Sequence, residues 1–282
     1  MKKVPYFHIL LFVVTCITTL AAGALQKGSN IFESPRKLLD GVPFAGTLMI
    51  ILTVHELAHY IASRRHHVSA TLPYFIPAPS LIGTFGAFIK MTSPIITRSA
   101  LIDIGASGPI AGFIVSLIAS IVGLGMSETV PLVKIQGALV LGDSLLFSVL
   151  SRVIVGNLPD TVDILLHPIA FAGWIGLFVT SMNLLPIGQL DGGHIAFAIL
   201  GDRHRYVSIA LVAILAVFGF FAIIGLYGWE GWAPWALLML FLGVKHPPVL
   251  YWEMPLDRTR KYIAFISLII FIVTFIPAPF KI

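Results

Sequence analysis

The feature that most constrains this chain is a series of apolar stretches, several of them long enough to cross a bilayer as a helix. A helix needs about 20 residues to cross a hydrocarbon core of about 30 Å. Charged residues make up 11% of the 282 residues and the mean hydropathy is +0.96, whereas soluble domains are nearer a quarter charged. The sequence therefore predicts an all-α polytopic membrane protein with about 6–7 transmembrane helices. The predicted spans are 6–25, 43–63, 100–125, 168–187, 206–226, 231–244 and 261–278.

The positions of Lys and Arg predict the orientation of these helices, because cytoplasmic loops are enriched in both. With seven spans, 12 of the 18 Lys and Arg residues fall on the side that holds the N-terminus. We expect that side to be cytoplasmic, in the cytoplasmic membrane of a prokaryote. This requires that the partly apolar segment 135–155 does not cross, and we interpret it as interfacial or partly buried. The first stretch also resembles a signal peptide, but its apolar part is long and we expect a retained helix.

The net charge of +5 does not indicate nucleic-acid binding, because the basic residues are scattered between apolar stretches. The longest segments between spans, 64–99 and 126–167, are too short for a separate folded domain of ordinary size. We therefore expect a single transmembrane domain over residues 1–282, with membrane lipid as its surroundings.

Ionisable residues interrupt the second apolar stretch, in ILTVHELAHYIAS at 51–63. Residues four apart lie on one face of a helix, so His55 and His59 can bind one metal ion. Glu56 lies beside them, where a general base could reach a water on that metal. An ionisable residue deep in a bilayer costs about 2.5–3.5 kcal/mol, and a divalent metal would compensate for three of them. The alternative is a polar cluster that lines a transporter cavity or a proton path.

A catalytic zinc site usually has three protein ligands, so a third is needed. The fourth stretch ends on the same side as the histidines, in NLLPIGQLDGGH at 183–194. Asp191 is the natural third ligand, since carboxylate oxygen is a normal zinc ligand. Residues that break helices or allow close turns surround it: Pro186, Gly188, Gly192 and Gly193. The sequence thus predicts one Zn²⁺ per chain, bound by His55, His59 and Asp191.

The two motifs together resemble the site-2 protease family of intramembrane zinc metalloproteases. HELAH lies in an apolar stretch, and Asn-x-x-Pro-x-x-x-x-Asp-Gly follows with Asn183, Pro186, Asp191 and Gly192. The resemblance covers about 43–195, which would be the catalytic core, and leaves C-terminal helices at about 206–278. The loops have no room for the PDZ or CBS module that relatives often carry.

That resemblance implies zinc bound by the three predicted ligands, with Glu56 activating water to cleave a peptide bond in a partner's transmembrane helix. An upstream site-1-type protease is a further expected partner. The resemblance also implies that Asn183 holds the substrate backbone or the developing oxyanion, and the alternative is a hydrogen bond between helices. His194 either orients a ligand or lies at the surface, and His204 and His246 have no evident partner.

The segment GTFGAFIKM at 83–91 follows a Pro-rich approach and is too short to span. We interpret it as a short re-entrant hairpin, which the site-2 protease family also has near this position. An open strand edge could hold an extended substrate, so the candidate substrate-binding residues are Gly83, Thr84, Phe85 and Gly86. An ordinary connecting loop is the alternative. In GASGPIAGF at 105–113, Gly108 and Gly112 predict close helix packing.

Three functions remain in competition at this point: an intramembrane endopeptidase, a catalytically silent membrane chaperone or regulator, and a metal or proton transporter. The intact Glu56 argues against the silent relative. Before His55 the second span offers Thr47 and Thr53 as its polar residues, which argues against a transport path.

Overall fold

The computed structural model describes residues 5–31, 33–131, 140–159, 161–226 and 228–281. Within these ranges the chain is mostly helical, which confirms the predicted fold class. The helices are α1 (Tyr6–Gln26), α2 (Val42–Arg65), α3 (Arg98–Leu124), α4 (Leu145–Ile154), α5 (Pro168–Asn183), α6 (Asp191–Leu200), α7 (His204–Ile223), α8 (Trp232–Leu242) and α9 (Arg258–Thr274).

Six short strands form three two-stranded antiparallel sheets in the described residues. The first sheet is the predicted hairpin, with a bulge between Ile76 and Pro77. The strands are β1 (Tyr74–Pro77) paired with β2 (Thr84–Phe88), β3 (Glu128–Pro131) paired with β5 (Val162–Leu165), and β4 (Val140–Leu141) paired with β6 (Phe280–Lys281).

Helices lie at all seven predicted spans, but they differ in length. Four helical segments are long and apolar enough to cross a membrane: Tyr6–Gln26, Pro35–Arg65, Arg98–Leu124 and Asp191–Ile223. The helices α5, α8 and α9 have 16, 11 and 17 residues. The chain is therefore an integral membrane protein, and at least four of its predicted spans have full crossing length.

The start of the fifth span differs from the prediction. The sequence suggested that the glycines after Asp191 form a turn, but α6 begins at Asp191 and a 3-10 turn at Gly201–Arg203 joins it to α7. The preceding helix ends at Asn183 rather than 187, because a proline restricts the residue before it and cannot donate a helical hydrogen bond. The glycines serve close packing, as the metal centre shows below.

The segment predicted as interfacial contains α4. Residues 135–139 of that segment lie outside the described residues. The ten residues of α4 are too few to cross a bilayer. Its residues Leu145, Val149 and Val153, four apart, are exposed apolar side chains, while Phe147 is buried. Such a short amphipathic helix agrees with an interfacial position.

The chain divides into two compact units, and the boundary between them falls inside α3 and inside α5. The first unit comprises Met1–Pro94, Ala111–Pro131 and Leu150–Gly176. The second comprises Ile95–Ile110, Leu132–Val149 and Leu177–Ile282. The expectation of a single domain stays a prediction.

In the first unit, the hairpin follows α1 over almost its whole length. From His8 to Gln26 the helix rises about 27 Å, so a strand that accompanies it reaches far below the membrane surface if α1 crosses. This is deeper than the predicted dip at the membrane edge. The contacts are His8 with Tyr74 and Phe12 with Phe75 through their rings, Thr18 with Gly83, and Gln26 with Leu81 through hydrogen bonds.

In the second unit, an ion pair joins α9 to α3. The Arg260 guanidinium lies on the carboxylate of Asp103, with Nε 3.0 and 3.1 Å from the two oxygens. It also pairs with Asp257, whose carboxylate caps α9 by accepting a hydrogen bond from the Arg260 N–H at 2.8 Å. A core cluster lies in the same unit: Leu101, Ile102, Phe197, Ala198, Val249 and Leu256.

Candidate metal centre

Two histidines face the same direction on α2, as their spacing predicts. His55, Glu56 and His59 are 5%, 4% and 5% exposed. The Nε2 atoms of His55 and His59 lie 3.1 Å apart. Zinc–nitrogen bonds of about 2.0–2.1 Å in a tetrahedral site place two ligand nitrogens about 3.3 Å apart. The pair therefore has the spacing of two ligands to one ion.

Asp191 completes the group. One ligand atom from each of His55, His59 and Asp191 lies within 4.8 Å of the other two, and the described part of the chain has no second such group of three. Two imidazoles and a carboxylate are the donor set of a catalytic zinc site, with a fourth position left for water. The structure thus brings the three predicted ligands together, and they fit the predicted zinc ion.

The loop between α5 and α6 brings the chain to Asp191. A Cβ atom at Gly192 would lie 1.9 Å from the carbonyl oxygen of Leu184, and one at Gly193 would lie 2.4 Å from that of Gly188. Gly188 itself has a φ of +52°, which glycine adopts with little strain. The loop can fold against the first turn of α6 because these positions have no side chains.

Helix α3 approaches both parts of the ligand set. A Cβ atom at Gly112 would lie 2.9 Å from Nδ1 of His55, and one at Gly105 would lie 2.9 Å from the backbone oxygen of Asp191. The sequence predicted close packing for Gly108 and Gly112. Gly108 is buried, but the contact at Gly105 was missed. Its spacing of seven residues from Gly112, two helical turns, was the available signal.

The four candidate substrate residues of the hairpin lie in different environments. Gly83 packs on α1, where its carbonyl accepts a hydrogen bond of 2.6 Å from the Thr18 hydroxyl. Thr84 is buried and its hydroxyl donates to the Ile76 carbonyl at 2.7 Å. Phe85 is 75% exposed, and Gly86 has open space where a side chain would be, as far as the described residues show. A role in substrate binding stays a prediction for all four.

Asn183 is the last residue of α5 and is half-buried. It precedes the loop that leads to Asp191, so it lies where the α5 helix gives way to the ligand-bearing segment. Its role in holding substrate or oxyanion stays a prediction.

Sequence reasoning missed the residues that support this loop from behind. The Ser208 hydroxyl accepts a hydrogen bond from the Gly188 N–H at 3.2 Å and lies 3.1 Å from Nε2 of His204. His246, to which the sequence assigned no partner, lies 2.7 Å from Nδ1 of His194. Nothing in the local sequence around 204–208 or 246 indicates that these residues meet the loop.

A buried HExxH pair on an apolar helix, with a carboxylate beside it, defines the class of membrane metalloproteases. The sequence profile of peptidase family M50 matches residues 43–226, a range that holds both motifs. The chain belongs to peptidase family M50, which confirms the resemblance to site-2 proteases. No solved structure matches the chain.

Several chloroplast proteins are similar to this chain. "Probable zinc metalloprotease EGY2, chloroplastic" of Arabidopsis thaliana is 32% identical over 173 residues, covering 61% of this chain and 31% of that protein. The corresponding EGY1 of Arabidopsis thaliana is 36% identical over 170 residues, with coverages of 57% and 30%. "Probable zinc metallopeptidase EGY3, chloroplastic" of the same plant is 30% identical over 210 residues, with coverages of 67% and 36%. The chain spans about a third of the length of these curated relatives.

Proposed function

We propose that this chain is an intramembrane zinc endopeptidase that hydrolyses peptide bonds within or near transmembrane segments of other membrane proteins. The observation that carries the proposal is the buried ligand set His55, His59 and Asp191 on apolar helices, with Glu56 buried beside the histidines. The printed names of the curated relatives, zinc metalloproteases, support the same activity.

The residues have separate roles in this reaction. His55, His59 and Asp191 would hold the zinc ion. When bound, zinc lowers the pKa of a coordinated water toward 7 and polarises a carbonyl group. Glu56 takes a proton from the attacking water as its oxygen bonds to the scissile carbon, and passes that proton to the leaving nitrogen as the C–N bond breaks.

The hairpin supplies a route by which a substrate helix becomes accessible. A peptide bond inside a helix is shielded, so the substrate must be extended before water can attack. In the first sheet, β1 and β2 pair with each other, which leaves each strand with one edge that no described strand covers. We infer that an extended substrate segment pairs with such an edge, near the exposed Phe85.

We infer from the Lys and Arg distribution that the site opens toward the cytoplasmic side. The curated relatives are named chloroplastic, so they do not support the expectation of a prokaryotic membrane. Prior trimming of the substrate by a site-1-type protease remains part of the proposal, since no PDZ or CBS module is expected in the loops.

The first test is metal content. Detergent-purified wild type should hold about one zinc per chain, and Asp191→Ala should hold far less. Asp202→Ala makes the same change at an exposed carboxylate and should keep its zinc. Folded wild type without zinc would contradict the proposal and leave the cluster as a proton path or a silent scaffold.

The second test is peptide-bond cleavage in proteoliposomes, with a reporter that has one transmembrane helix containing helix-breaking residues. Glu56→Gln should keep zinc but cleave about 10²–10⁴-fold more slowly, because the general base is lost. Glu33→Gln, at an exposed glutamate paired with Lys37, is the matched control. Cleavage by Glu56→Gln at the wild-type rate would exclude the role of Glu56. A zinc-loaded wild type that cleaves no reporter would favour the silent chaperone or the transporter.

A further inference from the structure

The segment that follows α8 meets the helix that carries Asp191. Nε2 of His246 lies 2.7 Å from Nδ1 of His194, which is one helical turn beyond Asp191 on α6. The other ring nitrogen of His246, Nδ1, lies 2.7 Å from the carbonyl oxygen of Pro247. The HPP sequence at 246–248 therefore forms a contact with α6 that its sequence did not suggest.

The partners of His246 fix where its proton lies. A carbonyl oxygen can only accept, so Nδ1 of His246 carries the hydrogen. Burial lowers the pKa of His246 below its ordinary value, which favours a neutral ring whose Nε2 is an acceptor. Nδ1 of His194 must then donate, and the two tautomers are set in series from the Pro247 carbonyl to α6.

The ring of His246 is also held by stacking. It lies against the ring of Phe197, with centroids 4.3 Å apart and planes 14° apart. His194 and Phe197 are three residues apart and thus share one face of α6. The His246 ring accordingly contacts two successive positions on the face of α6, directly after the ligand-bearing turn.

The same segment supports the ligand loop at a second point. A Cβ atom at Gly188 would lie 2.2 Å from the carbonyl oxygen of Gly243. From the other side, Ser208 accepts a hydrogen bond from the Gly188 N–H. The loop before Asp191 and the helix after it are thus both fixed by residues 243–248.

We propose that His246 is a positioning residue of the metal centre, which acts through His194 to fix the first turn of α6 and hence the Asp191 carboxylate. This inference rests on the proposed zinc site. It assigns a function to the segment between α8 and α9, which lies outside the range that matches the family profile. Partners that orient a metal ligand contribute about 10–100-fold to metal affinity or activity.

The test compares two substitutions in the full-length protein. His246→Phe keeps a ring against Phe197 but removes the acceptor, and His246→Gln keeps a hydrogen-bonding group. We expect the dissociation constant for zinc, measured by chelator competition, to rise about 10–100-fold in His246→Phe. It should recover most of the way to wild type in His246→Gln. The absorption spectrum of the cobalt-substituted protein should change in His246→Phe and be restored in His246→Gln.

A matched control exists in the first unit. His8 also stacks on an aromatic ring, that of Tyr74, at 4.2 Å. Its two ring nitrogens are buried without a hydrogen-bond partner in the described part of the chain. His8→Phe therefore makes the same change without removing a hydrogen bond, and zinc affinity should stay at the wild-type value.

A double-mutant cycle tests whether His246 acts through His194. The double variant His194→Phe, His246→Phe should bind zinc no more weakly than the weaker single variant. Additive losses would overturn the proposal, as would wild-type zinc affinity in His246→Phe. If His246→Phe does not fold, His194→Phe with zinc affinity unchanged overturns it equally. Wild type that holds no zinc refutes the proposed function itself, so the two failures are distinguishable.

Discussion

At the scale of single residues, the distance between α3 and the metal centre depends on side chains that are absent. The first atom of a side chain at Gly112 would lie 2.9 Å from Nδ1 of His55 and 3.4 Å from its Cβ. Protein interiors are close-packed, so such an atom cannot be absorbed without moving a neighbour. The neighbour here is a metal ligand.

We expect Gly112→Ala to weaken zinc binding about 10–100-fold, the effect typical of a displaced ligand environment. The reason is that His55 must rotate or shift to accommodate the methyl group. Chelator competition measures the affinity.

The control for this substitution is Gly46→Ala in α2, where a Cβ atom has no neighbour within 4 Å among the described residues. Alanine also favours a helix over glycine by about 0.5–1 kcal/mol. Zinc affinity should be unchanged in Gly46→Ala. Equal affinities in both variants would mean that α3 does not constrain His55.

At the scale of elements, the hairpin depends on α1 for its support. Gly83 has a φ of +79°, and a Cβ atom there would lie 2.5 Å from the backbone oxygen of Thr18. The Thr18 hydroxyl donates to the Gly83 carbonyl in return. Helix α1 therefore packs as an integral part of the first unit, which agrees with a retained first helix.

Gly83→Ala should lower the thermal stability of the protein more than Gly86→Ala. Both positions have positive φ, so both variants are strained by about 1–2 kcal/mol. The Gly83 variant should lose about 1–3 kcal/mol more, the usual effect of overpacking, because it also meets α1. Thermal unfolding in detergent measures the difference, and equal melting temperatures would show that α1 does not hold the hairpin.

At the scale of the whole molecule, the sidedness of the segments depends on whether 135–155 crosses the membrane. The described part of that segment contains the ten-residue α4, which is too short to span. If the segment does not cross, the segment before α3 and the segment before α9 lie on the same side of the membrane.

This arrangement can be tested with single cysteines in a Cys16→Ser background, since Cys16 is the one cysteine of the chain. A membrane-impermeant maleimide should label Lys90→Cys and Glu253→Cys from the same side. It should label Glu128→Cys and Asn157→Cys from the opposite side. All four positions are exposed. Labelling of positions 90 and 253 from opposite sides would mean that a further segment crosses.

The sequence by itself determined the features that depend on local order. Apolar stretches near 20 residues predict membrane helices wherever they occur, and a spacing of four places His55 and His59 on one face of α2. The chemistry of zinc ligands, together with the motif around Asp191, also indicated the third ligand before any coordinates.

Tertiary structure alone decided which distant residues meet. Gly105 approaches Asp191, Thr18 holds Gly83, and His246 reaches His194. These contacts arise from packing between elements that are far apart in sequence, and helical periodicity specifies the face of a residue but not its neighbour. The helix α6 was missed for a related reason, because Gly192 and Gly193 have the local pattern of a turn while their contacts are those of a closely packed helix.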